Sequence, residues 1–588
     1  MNKRLLCAIL SALITFTGCG AALAVEDIWA PYDPPITITT VKHLNDNFTT
    51  HPLKPDDWNA GNNPWIWQYR DELGINVEVL WEVPDANEQY IEKLSVAISS
   101  NQLPDIFRVN TRQLATVVRN GQVQPITDVY EEYISPWARQ YTDDGGMGLK
   151  QATFGGELMA IPVTQGNIDH AALLWMRKDW LDVLGLTAPQ TLDELEEIAR
   201  AFTEDDPDGN GENDTFGLAI TNRFVDSNMG INPLIDGFGT LYGQWLKTDE
   251  GLIWGGIQPE VKDGLNMVAR MFAKGYIDPE FITKDMSKVS EDLVAGKIGM
   301  FFGQHWLAFW PLGDAQAANP EVNWEAFPIP TLDGSPARVQ VGTSASEFFV
   351  VNQSCQYPEA AIKMLNMGLK YQPDPSPDHK AIFHFGTVDP ENEKRPLPNG
   401  DMQLWALAVV YSFSPTQNID IFRDHKLLAE GGSLEQTIRN QRMSDEEIEI
   451  LKERWSTILE SRYIPAEGRQ LDYVDYYGAR HNTPDDTLFG RSFYGVALWI
   501  YPYGSFWTVD QYMNNGQLIF PEFYGANTAT MTSNGATLDQ MRDEIFTKII
   551  VGQIPIDEFD SYVDSWKNMG GNSITQEVND WYKEVVGG

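Results

Sequence analysis

The chain has 588 residues, 43% of them hydrophobic and 21% charged, and 42 basic against 83 acidic residues leave a formal net charge of −41. That length predicts two or more domains. The charge repels nucleic acid and anionic lipid, so no nucleic-acid partner is expected and any ligand is expected to be neutral or small. The 19 Trp and 22 Tyr are either a large core or flat surfaces on which sugars and bases stack, and with this charge sugars are the better match.

In chain order, Lys3 and Arg4 precede an apolar run, LLCAILSALITF (5–16), too short to span a bilayer permanently. FTGC then ends at Cys19, as at a lipoprotein processing site, although Phe16 stands where Leu is usual; the rival is ordinary cleavage after ALA (22–24). Cys7 leaves with the export signal either way, so Cys355 is the remaining thiol and no intrachain disulfide is expected. Residues 20–35, with PYDPP, read as a tether. ITITTV (36–41) is a predicted strand and 45–67 a turn-prone segment. INVEVLWEV (75–83), EQYIEKLSVAISS (88–100) and LPDIFRV (103–109) read as strand, helix, strand. That βαβ spacing predicts a parallel sheet with ligands at its C-terminal edge.

Further on, LMAIPVTQ (158–165) and AALLWMRKDWLDVLGL (171–186) flank a polar loop, GNIDH. TLDELEEIARAF (191–202) is a predicted helix with Thr191 and Glu194 as a capping box and Leu192, Leu195, Ile198, Ala199 and Phe202 on one face. Strands are expected at TFGLAI (215–220), within KIGMFFGQHW (297–306) and at SEFFVV (346–351). Residues 371–400 read as a surface insertion, and 444–462 as a helix capped by Ser444 and Glu447. Near the end a helix is expected from Thr537, with Gln540, to Gly552. No repeat of solenoid length occurs, and the pattern points to two α/β lobes.

The chain carries no GxSxG elbow, HExxH, P-loop or CxxC. Acidic residues are so common that inspection leaves a glycosidase pair open. The most specific local motif is DDPDGNGENDTFG (205–217). Counted from Asp206, oxygen-bearing side chains fall at loop positions 1, 3, 5 and 9, namely Asp206, Asp208, Asn210 and Asp214. Gly211 permits the sharp turn, and Glu212 offers a backbone carbonyl. This is the spacing of a calcium loop; the alternative is a solvated acidic turn. At position 12, where a sensor loop has a bidentate Glu, stands Gly217, and a strand rather than a second helix follows, so a structural ion is expected and not a sensor.

Several blocks carry a family resemblance: KLSVAISSNQLPDIFRV (93–109), LLWMRKDWLDVLGLTAPQTLDELEEIARAFTEDDPDGNGENDTFGLA (173–219), GKIGMFFGQHW (296–306) and the C-terminal stretch 536–582. In these the chain resembles extracellular solute-binding lipoproteins of carbohydrate ABC importers, related to alginate- and maltose-binding-type proteins. The match is weaker across 371–500. The resemblance implies an α/β, two-lobed periplasmic-binding-protein-like (type II) fold with crossing hinge strands near 163–172 and 341–346 and a further return after the insertion. Lobe 1 would be 36–163 and 346–480, with the insertion inside 371–480; lobe 2 would be 164–345 and 481–588, with the loop 206–217. It implies an oligosaccharide ligand, ABC permease subunits as partners, and a lipid anchor at Cys19 on the outer face of the membrane. It also implies a structural calcium ion joining the helix 191–202 to the strand 215–220.

The strand-end rule for ligand sites in α/β lobes picks His43 and Asn45, Asn110 and Arg112, Asn222 and Arg223, and Gln304 and Trp306. Trp306 also resembles a sugar-stacking tryptophan of maltose-binding-type proteins, and amides and guanidinium groups suit sugar hydroxyls. The plain alternatives are an interface tryptophan, solvated or ion-paired arginines and a satisfied strand-end histidine. No catalytic residue is expected. The alternative function is a secreted calcium-dependent carbohydrate-active enzyme, glycosidase or lyase, which needs positioned carboxylates or a base beside the metal; a third is a calcium-dependent adhesin.

Overall fold

The computed structural model describes residues 28–51, 54–84, 89–142, 147–164, 166–343, 345–371, 388–389, 392–396, 404–413, 416–429, 463–464, 469–470 and 504–585. Cys19, the capped helix expected at 444–462 and most of the insertion lie outside them.

The principal strands are β1 (Ile36–Leu44), β2 (Ile75–Pro84), β3 (Ile106–Asn110), β4 (Ile161–Thr164), β5 (Leu173–Arg177), β6 (Phe216–Leu218), β7 (Ile298–Gly303), β8 (Trp324–Phe327) and β9 (Ala345–Val351). They form two sheets with separate hydrophobic cores. The first core draws on residues between Ile36 and Val163 and between Ala345 and Tyr411. The second draws on residues between Ile168 and Val341, then Ile419, Phe422 and residues between Phe506 and Val578.

In the first sheet the order is β2-β1-β3-β9-β4. β1 alternates buried and exposed at its start, then is buried on both faces from Thr40 to Leu44, as a central strand must be. β2 and β3 flank it in parallel. The expected parallel arrangement holds for β1, β2 and β3, while β9, which re-enters from the other lobe, runs antiparallel to β3 and β4 and makes the sheet mixed. The second sheet has the order β8-β5-β7-β6. β5, β7 and β8 are buried throughout, which the continuous apolar runs LLWMR and IGMFFG encode.

Helix Leu192–Glu204 starts with its capping box formed: Glu194 N–H donates to Thr191 Oγ1 at 3.2 Å, and Thr191 N–H to Glu194 Oε2 at 3.1 Å. The helix expected from Thr537 starts earlier, at Ala529, with Thr528 as cap. Its polar first turns have no apolar stripe. Thr530 instead donates to Glu577 at 2.7 Å and Asn534 to the Met569 carbonyl at 2.7 Å, so the C-terminal helix Asn572–Val585 and the turn before it hold them in place.

Helix Gln417–Ala429 contributes Ile419 and Phe422 to the second core. The return to lobe 2 therefore falls between Tyr411 and Ile419, and not at residue 480 as the lobe boundaries above had it. Those two side chains are apolar and bury against the lobe nearest in space.

Candidate functional site

Three segments cross between the cores, and they are tied to one another. At the first, Thr164 N–H donates to Ser412 Oγ at 3.0 Å, and Thr164 Oγ1 donates to the Phe413 carbonyl at 2.6 Å. Asn418 Nδ2 donates to Asp169 Oδ2 at 2.6 Å, joining the first crossing to the third. The second crossing passes His170 so closely that a Cβ on Gly342 would lie 3.2 Å from the imidazole Nδ1. Burial pushes the Asp169 carboxyl up to about 7, and the Asn418 bond opposes that shift.

On the first lobe a polar cluster sits at the C-terminal ends of β1 and β3. Thr40 pairs with Ile106, so Lys42 and Arg108 lie side by side two residues further on. Lys42 is buried, and its Nζ donates to the Ala408 carbonyl at 2.6 Å. Arg108 Nη1 donates to Glu347 Oε2 at 2.6 Å and to the Tyr411 hydroxyl at 3.1 Å. The Tyr90 ring lies 5.2 Å from the guanidinium carbon. Burial, then repulsion from Arg108, pushes Lys42 down to about 7, with Glu347 opposing. Burial, then Arg108 and Lys42, pushes His43 down to about 2, so its imidazole is neutral at physiological pH.

On the second lobe β7 ends at Gly303 and leads into a 3₁₀ turn, His305–Ala308. Gln304 bridges this turn to the crossing: its Nε2 donates to the His170 carbonyl at 3.4 Å, and its Oε1 accepts from Trp306 Nε1 at 3.1 Å. The Trp306 indole lies parallel to that of Trp310, 3° between planes and 6.4 Å between centroids. Trp310 is 38% exposed, an unusual state for a tryptophan.

The expected ligand residues are placed unevenly. His43 packs edge-on against Tyr90 at 5.6 Å within the polar cluster. Gln304 and Trp306 stand at the crossing. Asn110 caps helix Thr111–Arg119 in a complete capping box with Gln113, so its carboxamide oxygen is committed to the helix. Asn45 Oδ1 likewise accepts from Phe48 N–H at 2.9 Å. Arg112, Asn222 and Arg223 are exposed. Asn222 anchors by its backbone to the Lys284 carbonyl, and Arg223 N–H donates to Thr221 Oγ1 at 3.2 Å. Strand-end reasoning does not pick Lys42 and Arg108, which lie inside β1 and β3, or Trp310.

The 206–214 loop turns its side chains together. Gly211 N–H donates to Asp206 Oδ2 at 3.1 Å. Asn210 Nδ2 lies 2.9 Å from Asp208 Oδ2 and 3.2 Å from Asp214 Oδ1, and Asn210 Oδ1 accepts from Glu212 N–H at 2.6 Å. Partial burial, and beyond it the Asp206 and Asp214 carboxylates, raise Asp208 above the ordinary carboxylate range, while the Asn210 N–H opposes the rise. Among the described residues no three His, Cys, Asp or Glu side chains are gathered as a metal cage. The oxygens of Asp206, Asp208, Asn210 and Asp214 nonetheless suit a hard cation, with the asparagine amide now bridging the two carboxylates that an ion would hold.

A family model described as bacterial extracellular solute-binding protein matches residues 62–370. The chain is 30% identical over 230 residues to the polygalacturonan/rhamnogalacturonan-binding protein YtcQ of Bacillus subtilis (strain 168), covering 39% of this chain and 44% of that one, so the match spans less than half of YtcQ. It is 21% identical over 538 residues to lipoprotein LipO of the same organism, covering 90% and 91%. Similar solved structures include an extracellular solute-binding protein from Bifidobacterium longum subsp. infantis (TM-score 0.56, 17% identity, 95% and 99% covered). The substrate-binding protein FusA of S. pneumoniae in complex with kestose is similar too (0.51, 17%, 93% and 99%).

Proposed function

The chain belongs to the bacterial extracellular solute-binding protein family and has its two-lobed type II fold, and from that premise we propose that it captures an oligosaccharide between its lobes and delivers it to an ABC permease. The observation that carries this is the joining of Trp306 to the crossing through Gln304. A pyranose needs an apolar face to stack on and amides to bind its hydroxyls, and both are held where lobe closure would act on them. Binding without bond cleavage is the role of such a site; no pair of carboxylates in it is assigned acid and base roles. A thermal-shift screen across oligosaccharides tests the reading. A ligand at a hundred times its dissociation constant stabilises by about 2.7 kcal/mol, and a flat response across the screen would count against it.

Lipidation at Cys19, with export and anchoring on the outer face of the membrane, belongs to the same reading and is supported by the FTGC stretch and by the likeness to LipO. Cells fed a labelled fatty acid should mark the protein, Cys19→Ser should lose the label, and a mature N-terminus at Val25 would contradict it.

The loop is read as a structural calcium site. Asp206, Asp208, Asn210 and Asp214 would hold the ion with side-chain oxygens and Glu212 with its carbonyl. A similar structure, the alginate-binding protein AlgQ2 determined without calcium ion, has a TM-score of 0.50 at 15% identity over 94% of this chain and 99% of that one. The ion would neutralise crowded carboxylates and clamp helix Leu192–Glu204 to β6. Chelation should lower the melting temperature of wild type, and Asp208→Ala should remove that sensitivity. Equal metal content and melting temperature in the two proteins would reduce the loop to an acidic turn.

A further inference from the structure

The polar cluster of the first lobe runs against the overall charge of the chain. Acidic residues outnumber basic ones by 83 to 42 overall, yet here Lys42 and Arg108 face one carboxylate, Glu347. His43 adds no negative charge and is held neutral. Buried cations are costly unless an anion answers them.

Half of the Arg108 guanidinium is committed, since Nη1 serves both Glu347 and Tyr411. The Nε–Nη2 edge has no protein partner among the described residues. Two parallel N–H groups on one edge match the two oxygens of a carboxylate. The Tyr90 ring lies against the guanidinium and its hydroxyl donates to the Arg108 carbonyl at 2.9 Å, which holds the strand end and side chain in register.

We propose that this edge is a carboxylate subsite, so that the oligosaccharide taken by the cleft carries a uronic acid whose carboxylate binds side-on to Nε and Nη2 of Arg108, with Lys42 behind it. This rests on the reading of the cleft as an oligosaccharide site. The charge of −41 argues against a long polyanion approaching from afar. Exposed charges are screened beyond about 8 Å at physiological salt, whereas the cluster acts at contact distance on a short ligand. A carboxylate arriving there also favours the charged form of Lys42, which burial and Arg108 otherwise oppose.

The test is calorimetric titration with di- to tetrasaccharides of galacturonic, glucuronic and mannuronic acid, each beside its carboxyl-reduced neutral counterpart. Wild type should bind at least one uronide tenfold or more tighter than the reduced form. Arg108→Gln should abolish that preference. Glu347→Gln, which removes the competing carboxylate, should strengthen uronide binding. At pH 8 the uronide enthalpy should vary with buffer ionisation as Lys42 takes up a proton, and that of the neutral sugar should not. If reduced or neutral sugars bind as well as uronides, the carboxylate subsite is wrong and the oligosaccharide reading stands. If no saccharide binds to wild type, both fall.

Discussion

Trp306→Ala is expected to weaken oligosaccharide binding by about a hundredfold, with a smaller effect on folding. The indole is pre-oriented by its bond to Gln304 Oε1 at 3.1 Å and by the parallel Trp310 ring. Little conformational freedom is then lost when a sugar face stacks on it. Loss of a buried aromatic anchor typically costs a few kcal/mol, and each ~1.4 kcal/mol is about tenfold in affinity. Fluorescence titration of wild type and mutant with the best ligand of the screen measures this. Equal affinities would remove Trp306 from the site, and a variant that fails to fold would make it a packing residue of the lobe.

Gly217→Ala is expected to destabilise the second lobe by about 3 kcal/mol, at the upper end of the usual range for overpacking. A Cβ there would lie 2.3 Å from the Ala199 carbonyl oxygen and 2.5 Å from the Ala199 Cα, both backbone atoms of helix Leu192–Glu204. The strand cannot retreat cheaply. Gly217 N–H donates to Thr203 Oγ1 at 3.0 Å, and Thr215 Oγ1 donates to the Phe202 carbonyl at 2.7 Å. The same contact explains why the loop has no glutamate at its twelfth position, since no side chain fits. Chemical denaturation of the two proteins measures the change. A loss below about 1 kcal/mol would mean that helix and strand separate without strain.

Much of the scaffold was legible because its signals are local. The capping box at Thr191 and Glu194, the amphipathic face from Leu192 to Phe202 and the apolar runs of β5 and β7 each follow from spacing alone. The mixed character of the first sheet was not, since the direction of β9 depends on how the chain returns from the other lobe. Helix Ala529–Ile550 begins before the expected Thr537 for a related reason: its first turns are held by Glu577 and Met569, distant in sequence. In the candidate site, the strand-end rule picks Gln304 and Trp306, which lie beside the crossing, and residues just past β3. Asn110, at the end of that strand, is drawn into capping the next helix, while Arg108, two residues earlier, forms the polar wall. A charged residue in an otherwise apolar strand, as in IFRVN, was the available signal.

A binding protein of this kind takes up an oligosaccharide and leaves it intact. Equilibrium dialysis of the purified protein against end-labelled oligosaccharides, with the recovered sugar sized afterwards, separates binding from cleavage. Saturable retention at one ligand per chain is expected, with every recovered molecule at its original length. Shortened or unsaturated products would identify a glycosidase or lyase and contradict it.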